Sequence, residues 1–154
     1  MNVATRKQVK YVAFGYVIYA LMYLAMAAIL LSAGGFEIFH NLDMVGGTLF
    51  LIACGCLVNL LLAIGSWRIL TLSIWKRRLL LGSAIGVAIV LFVNSLLGLW
   101  RWYHGTLPTD LGSTAVTGGT LVTLGYVLLA YSLVRIVTTS NTSLNTDAQK
   151  QRAG

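Results

Sequence analysis

Four stretches of this sequence, Tyr11 to Ala33, Val45 to Trp67, Leu79 to Trp100 and Thr114 to Val137, are apolar over a length that crosses a bilayer as a helix. About 20 residues suffice for such a crossing. Three of the stretches contain no charged residue, and the fourth holds only Arg135, close to its end. In hydrocarbon every backbone N–H and C=O must find its partner within the protein, so uninterrupted runs of this kind fold as helices. The expected fold class is therefore all-α, an integral membrane four-helix bundle over 1–137. A mobile polar cytoplasmic tail is expected over 138–154, where Ser, Thr, Asn and Gln dominate.

Composition agrees with lipid as the solvent. Hydrophobic residues make up 58% of the 154, charged residues only 10%, too little polar surface to cover a water-soluble globule of this size. A formal charge of +7 would suggest nucleic acid in a soluble protein. Here the cations sit in short clusters at the ends of apolar runs, which reads as a topology signal and as attraction to anionic lipid headgroups, with no nucleic-acid partner. Arg6, Lys7, Lys10, Arg68, Lys76, Arg77, Arg78, Arg135, Lys150 and Arg152 all fall on one face of a four-span arrangement, and Arg101 alone on the other. Basic residues near helix ends are retained in the cytoplasm, so both termini are expected there, in a plasma (inner) membrane protein.

A cleaved signal peptide ending near Ala25-Met26-Ala27 is the rival reading of the first run, but the apolar stretch is longer than such a segment and continues to Ala33. The sequon Asn141-Thr142-Ser143 falls on the cytoplasmic side, away from glycosylation. Cys54 and Cys56 stand two apart, about 200° around a helix, and read as small packing residues that cannot bridge each other.

The two halves share blocks. Gly46-Gly47-Thr48-Leu49 recurs as Gly118-Gly119-Thr120-Leu121, and Arg6 and Arg78 precede these blocks at equal distances. Gly34-Gly35-Phe36-Glu37-Ile38-Phe39-His40 parallels Gly98-Leu99-Trp100-Arg101-Trp102-Tyr103-His104, and Trp67-Arg68-Ile69-Leu70-Thr71 parallels Val134-Arg135-Ile136-Val137-Thr138. Spacings between blocks differ, so gaps are needed. Either a helical hairpin was duplicated in tandem, giving a parallel repeat, or two membrane segments reuse glycine and interfacial aromatics independently.

Few residues invite chemistry. His40 and His104 follow the outer ends of the first and third runs, where two imidazoles could ligate a metal or haem iron. Their place at the headgroup level equally suits plain amphipathic residues, and no cofactor is required. Glu37 and Arg101 occupy matching positions and could pair. Asn59 and Asn94 are the most polar residues deep within spans, expected to face the interior of the bundle as interhelical contacts or a polar path. Tyr16, Tyr19 and Tyr23 share one side of the first helix and either pack or line a quinone or headgroup cleft. Gly82, Gly86 and Gly98 permit close helix approach, and Thr117, Thr120 and Thr123 can return hydrogen bonds to backbone carbonyls. The run from Arg68 to Arg78 mixes apolar residues with basic ends and would suit a helix lying along the cytoplasmic interface.

No acidic or basic residue sits at mid-membrane, which weakens coupled transport, and no Walker loop, HExxH, GxSxG or paired catalytic carboxylates occur. Three function classes follow, in order. The first is a non-enzymatic accessory or assembly subunit, or a homo-oligomeric module, whose partner is another membrane protein or itself. The second is a small permease, channel or lipid-handling protein. The third is a redox subunit holding haem or quinone.

Overall fold

The computed structural model describes the backbone over residues 3–33, 42–105 and 109–152, and side-chain surroundings over 6–29, 31–32, 49–105 and 116–139. Four helices occupy these residues: α1 Val3–Ala33, α2 Leu42–Trp67, α3 Ile74–Tyr103 and α4 Thr109–Arg152. Each contains a segment long and apolar enough to cross a membrane, and the protein is an integral, multi-pass, all-α membrane protein. The chain divides into two compact units, Met1–Ile69 and Leu70–Gly154, each built on one helical hairpin.

The helices outrun the apolar stretches that mark them. α1 begins at Val3 and so carries Arg6, Lys7 and Lys10 within the helix, and α3 begins at Ile74, taking in Lys76, Arg77 and Arg78. Hydropathy marks immersion in lipid, whereas backbone hydrogen bonding continues into the headgroup region. The segment from Arg68 to Arg78 is accordingly no separate interfacial helix. It splits into a turn after Trp67 and the first turns of α3. For the same reason α4 stays helical to Arg152, so the polar stretch after Thr138 is continuous with the span.

In the first hairpin the buried positions of α1 are Val9, Val12, Ala13, Tyr16 and Ala20, the spacing of one helical stripe. They meet Ile52, Cys56, Asn59, Leu62, Ala63 and Ser66 of α2. Two contacts set an antiparallel register. Lys10 Nζ lies 5.8 Å from the centroid of the Trp67 ring, a cation–π distance at the basic end of the hairpin. Further along, the Tyr23 ring covers Gly55 so closely that a Cβ on the glycine would fall 2.6 Å from Cε1.

The second hairpin buries Leu80, Ala84 and Ala88 of α3 and Thr123, Tyr126, Ala130, Leu133, Ile136 and Val137 of α4. Its basic end has an internal fastening. Arg77 donates from Nε to the Leu72 carbonyl at 2.9 Å and from an Nη to the Leu70 carbonyl at 2.8 Å, holding the incoming turn onto α3. This offsets an awkward helix start. Ser73 makes no side-chain cap, and α3 has no acid in its first turn to complement the helix dipole. At the far end Gly105 adopts φ +67, and its N–H reaches the Trp102 carbonyl at 3.1 Å, the glycine termination of a helix.

Replacing Gly55 by Ala forces the Tyr23 ring to move, and overpacking of this kind costs about 1–3 kcal/mol. Thermal unfolding in detergent should show that loss for Gly55→Ala, and the double variant with Tyr23→Ala should recover part of it. Ser66 is fully buried and its Oγ has no hydrogen-bond partner among the described residues. Ser66→Ala is therefore expected to leave stability unchanged or raise it by about 1 kcal/mol; a clear loss in the same unfolding assay would show that the hydroxyl has an unrecognised partner.

Candidate functional site

Inside the first hairpin lies a polar seam. Asn59 is 2% exposed and donates from Nδ2 to the Gly55 carbonyl at 2.8 Å, so the amide is engaged one turn back on its own helix. The register set by Lys10 with Trp67 and by Tyr23 with Gly55 brings the fully buried Tyr16 within about one turn of Asn59 along the axis. Tyr19 and Tyr23 are half-buried. The Tyr23 ring packs on Gly55 and Tyr16 is fully buried, so tyrosine bodies help to pack the two helices together here. Cys56 is buried in this contact and Cys54 is half-buried; both are free thiols.

Asn94 has different surroundings. It is exposed on α3, and its side chain makes no hydrogen bond among the described residues. Its neighbour Ser95 faces α4. Ser95 Oγ lies 2.7 Å from Thr123 Oγ1 and 3.2 Å from the Gly119 carbonyl, while Thr123 Oγ1 lies 2.8 Å from the same carbonyl. The two shortest contacts are met together when Ser95 donates to Thr123 and Thr123 donates to the Gly119 carbonyl. This hydroxyl pair ties α3 to α4 within the span. Thr120 returns its hydroxyl to the Val116 carbonyl at 2.8 Å and needs no ligand.

Beside that tie a cleft of about 260 Å³ opens between α3 and α4, lined among the described residues by Asn94, Ser95, Leu97, Gly98, Arg101, Val116 and Gly119. Three residues of α3 define its wall. Asn94, Gly98 and Arg101 recur at helical spacing and so share one face of α3. The space at Gly98 is open, for a Cβ there would meet nothing within 4 Å. A second groove of about 350 Å³ shares Val116 and is lined by Leu99, Trp102, Thr117, Thr120 and Leu121, which makes it mainly apolar. A partly polar cleft and an apolar groove thus flank the same stretch of α4.

Gly82 and Gly86 do not mediate contact within the hairpin, for a Cβ on either would also meet nothing within 4 Å. Ala84 and Ala88, about 200° around α3, make the contact with α4 instead. The close approach that the GxxxG pair suggests falls instead at Gly55. For Gly55 the available signal was its place one turn before the buried amide of Asn59. For Ser95 it was a hydroxyl residue within helical reach of the glycine-rich start of the fourth run.

His104 closes α3. Its N–H bonds the Trp100 carbonyl at 3.1 Å, and its ring packs 4.6 Å from Trp100 and 5.4 Å from Tyr103, centroid to centroid. An interfacial aromatic cluster accounts for this arrangement without a metal or haem. His40 and Glu37 lie outside the described residues, so neither the paired-histidine site nor the Glu37–Arg101 pair has a geometry to report. Among the described residues no three His, Cys, Asp or Glu side chains gather as metal ligands.

Thr123→Val removes the hydroxyl from the α3–α4 tie while preserving shape. Membrane hydrogen bonds of this kind contribute about 0.6–2 kcal/mol, so a loss of that size is expected in unfolding of the purified protein, with Thr120→Val nearly silent by comparison. No family model matches the chain, and no curated protein or solved structure matches it either.

Proposed function

We propose that this chain is a non-enzymatic membrane module that works by assembly, as a homo-oligomer or as the accessory subunit of a larger membrane protein. The observation that carries this reading is the open face of α3 at Gly82 and Gly86. Small residues in a span expose backbone to close approach, which lipid tails exploit poorly and a second helix exploits well. In every span less than a third of the apolar window is buried within the chain, so most of the helical surface is left to lipid or to a partner. The polar groups inside the hairpins are engaged in helix packing, and the sequence carries no recognised catalytic motif.

The module belongs in a plasma membrane with both termini cytoplasmic. Supporting that orientation is the charge partition, with ten basic residues assigned to one face and Arg101 to the other. Its two hairpins descend from a tandem duplication in this reading. The repeated glycine blocks support it, and the division into compact units falls between Ile69 and Leu70, within the segment joining the two halves.

Native mass spectrometry of protein gently extracted from its own membranes tests assembly. The expected spectrum shows either several copies of the chain or one stoichiometric membrane partner, and Gly82→Leu combined with Gly86→Leu abolishes it while each hairpin still unfolds at its original temperature. A monomer without protein partners in wild type would sink the proposal. Orientation is read separately by labelling single cysteines in a variant without Cys54 and Cys56. Cysteine at Thr71 should react from the cytoplasm and cysteine at Gly105 from outside; the reverse pattern would invert the topology.

A further inference from the structure

We infer that the partner is a second copy of this chain, joined α3 to α3 across a two-fold axis along the membrane normal, with the Asn94 amides of the two copies hydrogen-bonded to each other. The inference rests on the assembly reading above and selects self-association from its two forms.

The unpartnered amide of Asn94 is what calls for a neighbour. Asn94 lies six residues before the exposed, interfacial Trp100, about 9 Å further into the span along the axis of α3. Its side chain is exposed and makes no hydrogen bond among the described residues, although it carries two donors and an acceptor. Acyl chains offer it nothing, and a polar group left so in hydrocarbon costs free energy. Asn59, by contrast, is buried and bonded inside its own hairpin.

Its place on the helix says where the neighbour lies. Gly82, Gly86, Val90 and Asn94 follow one another at intervals of four, and all four are exposed. Such a row forms a single ridge, and two helices that pack these rows together cross at about −40° to −50°, the right-handed geometry of small-residue contacts in membranes. A Cβ at Gly82 or Gly86 would meet nothing within 4 Å, so an incoming backbone can close there. Val90 follows with a β-branched side chain that has little rotamer freedom to lose. The ridge thus runs from an open glycine surface to an unsatisfied amide. The crossing also splays the basic ends, where Arg78 stands one step before Gly82 on the same row, and keeps those like charges apart.

Symmetry singles out a second copy. Copies insert in the same orientation, so a two-fold along the membrane normal lays this ridge against itself with Asn94 opposite Asn94 at one depth. An amide is donor and acceptor at once, hence its own complement, and two of them can exchange a pair of N–H···O bonds. A foreign helix would need its own amide or hydroxyl at matching height; the second copy supplies it by identity.

The test uses the full chain without Cys54 and Cys56, carrying donor or acceptor dyes on Thr139→Cys, in vesicles of phosphatidylcholine with phosphatidylglycerol. Energy transfer between chains, followed as lipid dilutes the protein, gives the dissociation constant of the dimer. Asn94→Leu should raise that constant about tenfold, the factor a hydrogen bond between spans supplies, and leave the unfolding temperature unchanged. Asn94→Gln keeps an amide and should restore most of the affinity. Gly86→Leu should abolish the dimer, whereas Phe92→Leu, exposed but well round α3 from the ridge, should not alter it. A dimer indifferent to Asn94→Leu would overturn the inference, and so would chains that stay apart at every lipid ratio. In the latter case the extract from native membranes decides the wider reading: a stoichiometric foreign subunit there keeps assembly and removes only self-association, while a bare monomer removes both.

Discussion

The obligation to satisfy backbone hydrogen bonds in the absence of water governs this molecule. It makes each apolar run a helix, and it leaves side chains to decide how helices meet, since lipid tails compete for apolar contact as well as leucine does. The two hairpins answer that problem differently. In the first, an aromatic ring is laid on a glycine, and an asparagine folds its amide onto the carbonyl of that same residue. In the second, two hydroxyls and a glycine carbonyl bridge the helices. In each, a glycine carbonyl takes a side-chain hydrogen bond, from Asn59 in the first hairpin and from Thr123 in the second.

Legibility from sequence follows the same division. The spans could be read because immersion in lipid imposes a length and forbids charge, and both properties are carried by residue type alone. Their ends could not, since α1, α3 and α4 remain helical beyond the hydrocarbon, through residues such as Lys10, Lys76 and Thr138 that hydropathy counts as outside. Asn59 and Asn94 carry the same signal in sequence, an amide within a span, yet one is buried in a helix contact and the other lines a cleft. What separates them is rotational: Asn59 lies on the stripe with Ile52, Cys56 and Leu62, whereas Asn94 lies one residue off the stripe that ends in Ser95. A motif such as GxxxG records spacing along one helix and says nothing of which neighbour the face will meet. Hence Gly82 and Gly86 are conspicuous in sequence but open, while Gly55, flanked by two cysteines, carries the closest contact.

Polar residues therefore do two kinds of work here. Those satisfied within a hairpin, among them Asn59, Ser95 and Thr123, hold its helices in register. Asn94 is exposed and makes no side-chain hydrogen bond among the described residues, so the surroundings of the protein, rather than the protein itself, complete its arrangement. The boundary between the groups passes between adjacent residues, Asn94 and Ser95, so a rotation of α3 by a single position would exchange their roles and disrupt both.

Arg77 has a consequence for how the second hairpin meets its membrane. Lys76 and Arg78 are exposed on flexible stems and can follow the headgroups over several ångströms. Arg77 cannot, because moving its charge means releasing the Leu70 and Leu72 carbonyls. The guanidinium acts as a depth gauge, fixing the level at which hydrocarbon must stop on that side. A bilayer that thickens or thins has to be accommodated at the opposite end of the hairpin, by tilt or by movement among Trp100, Trp102 and Tyr103, so sensitivity to membrane thickness is concentrated at one end of α3.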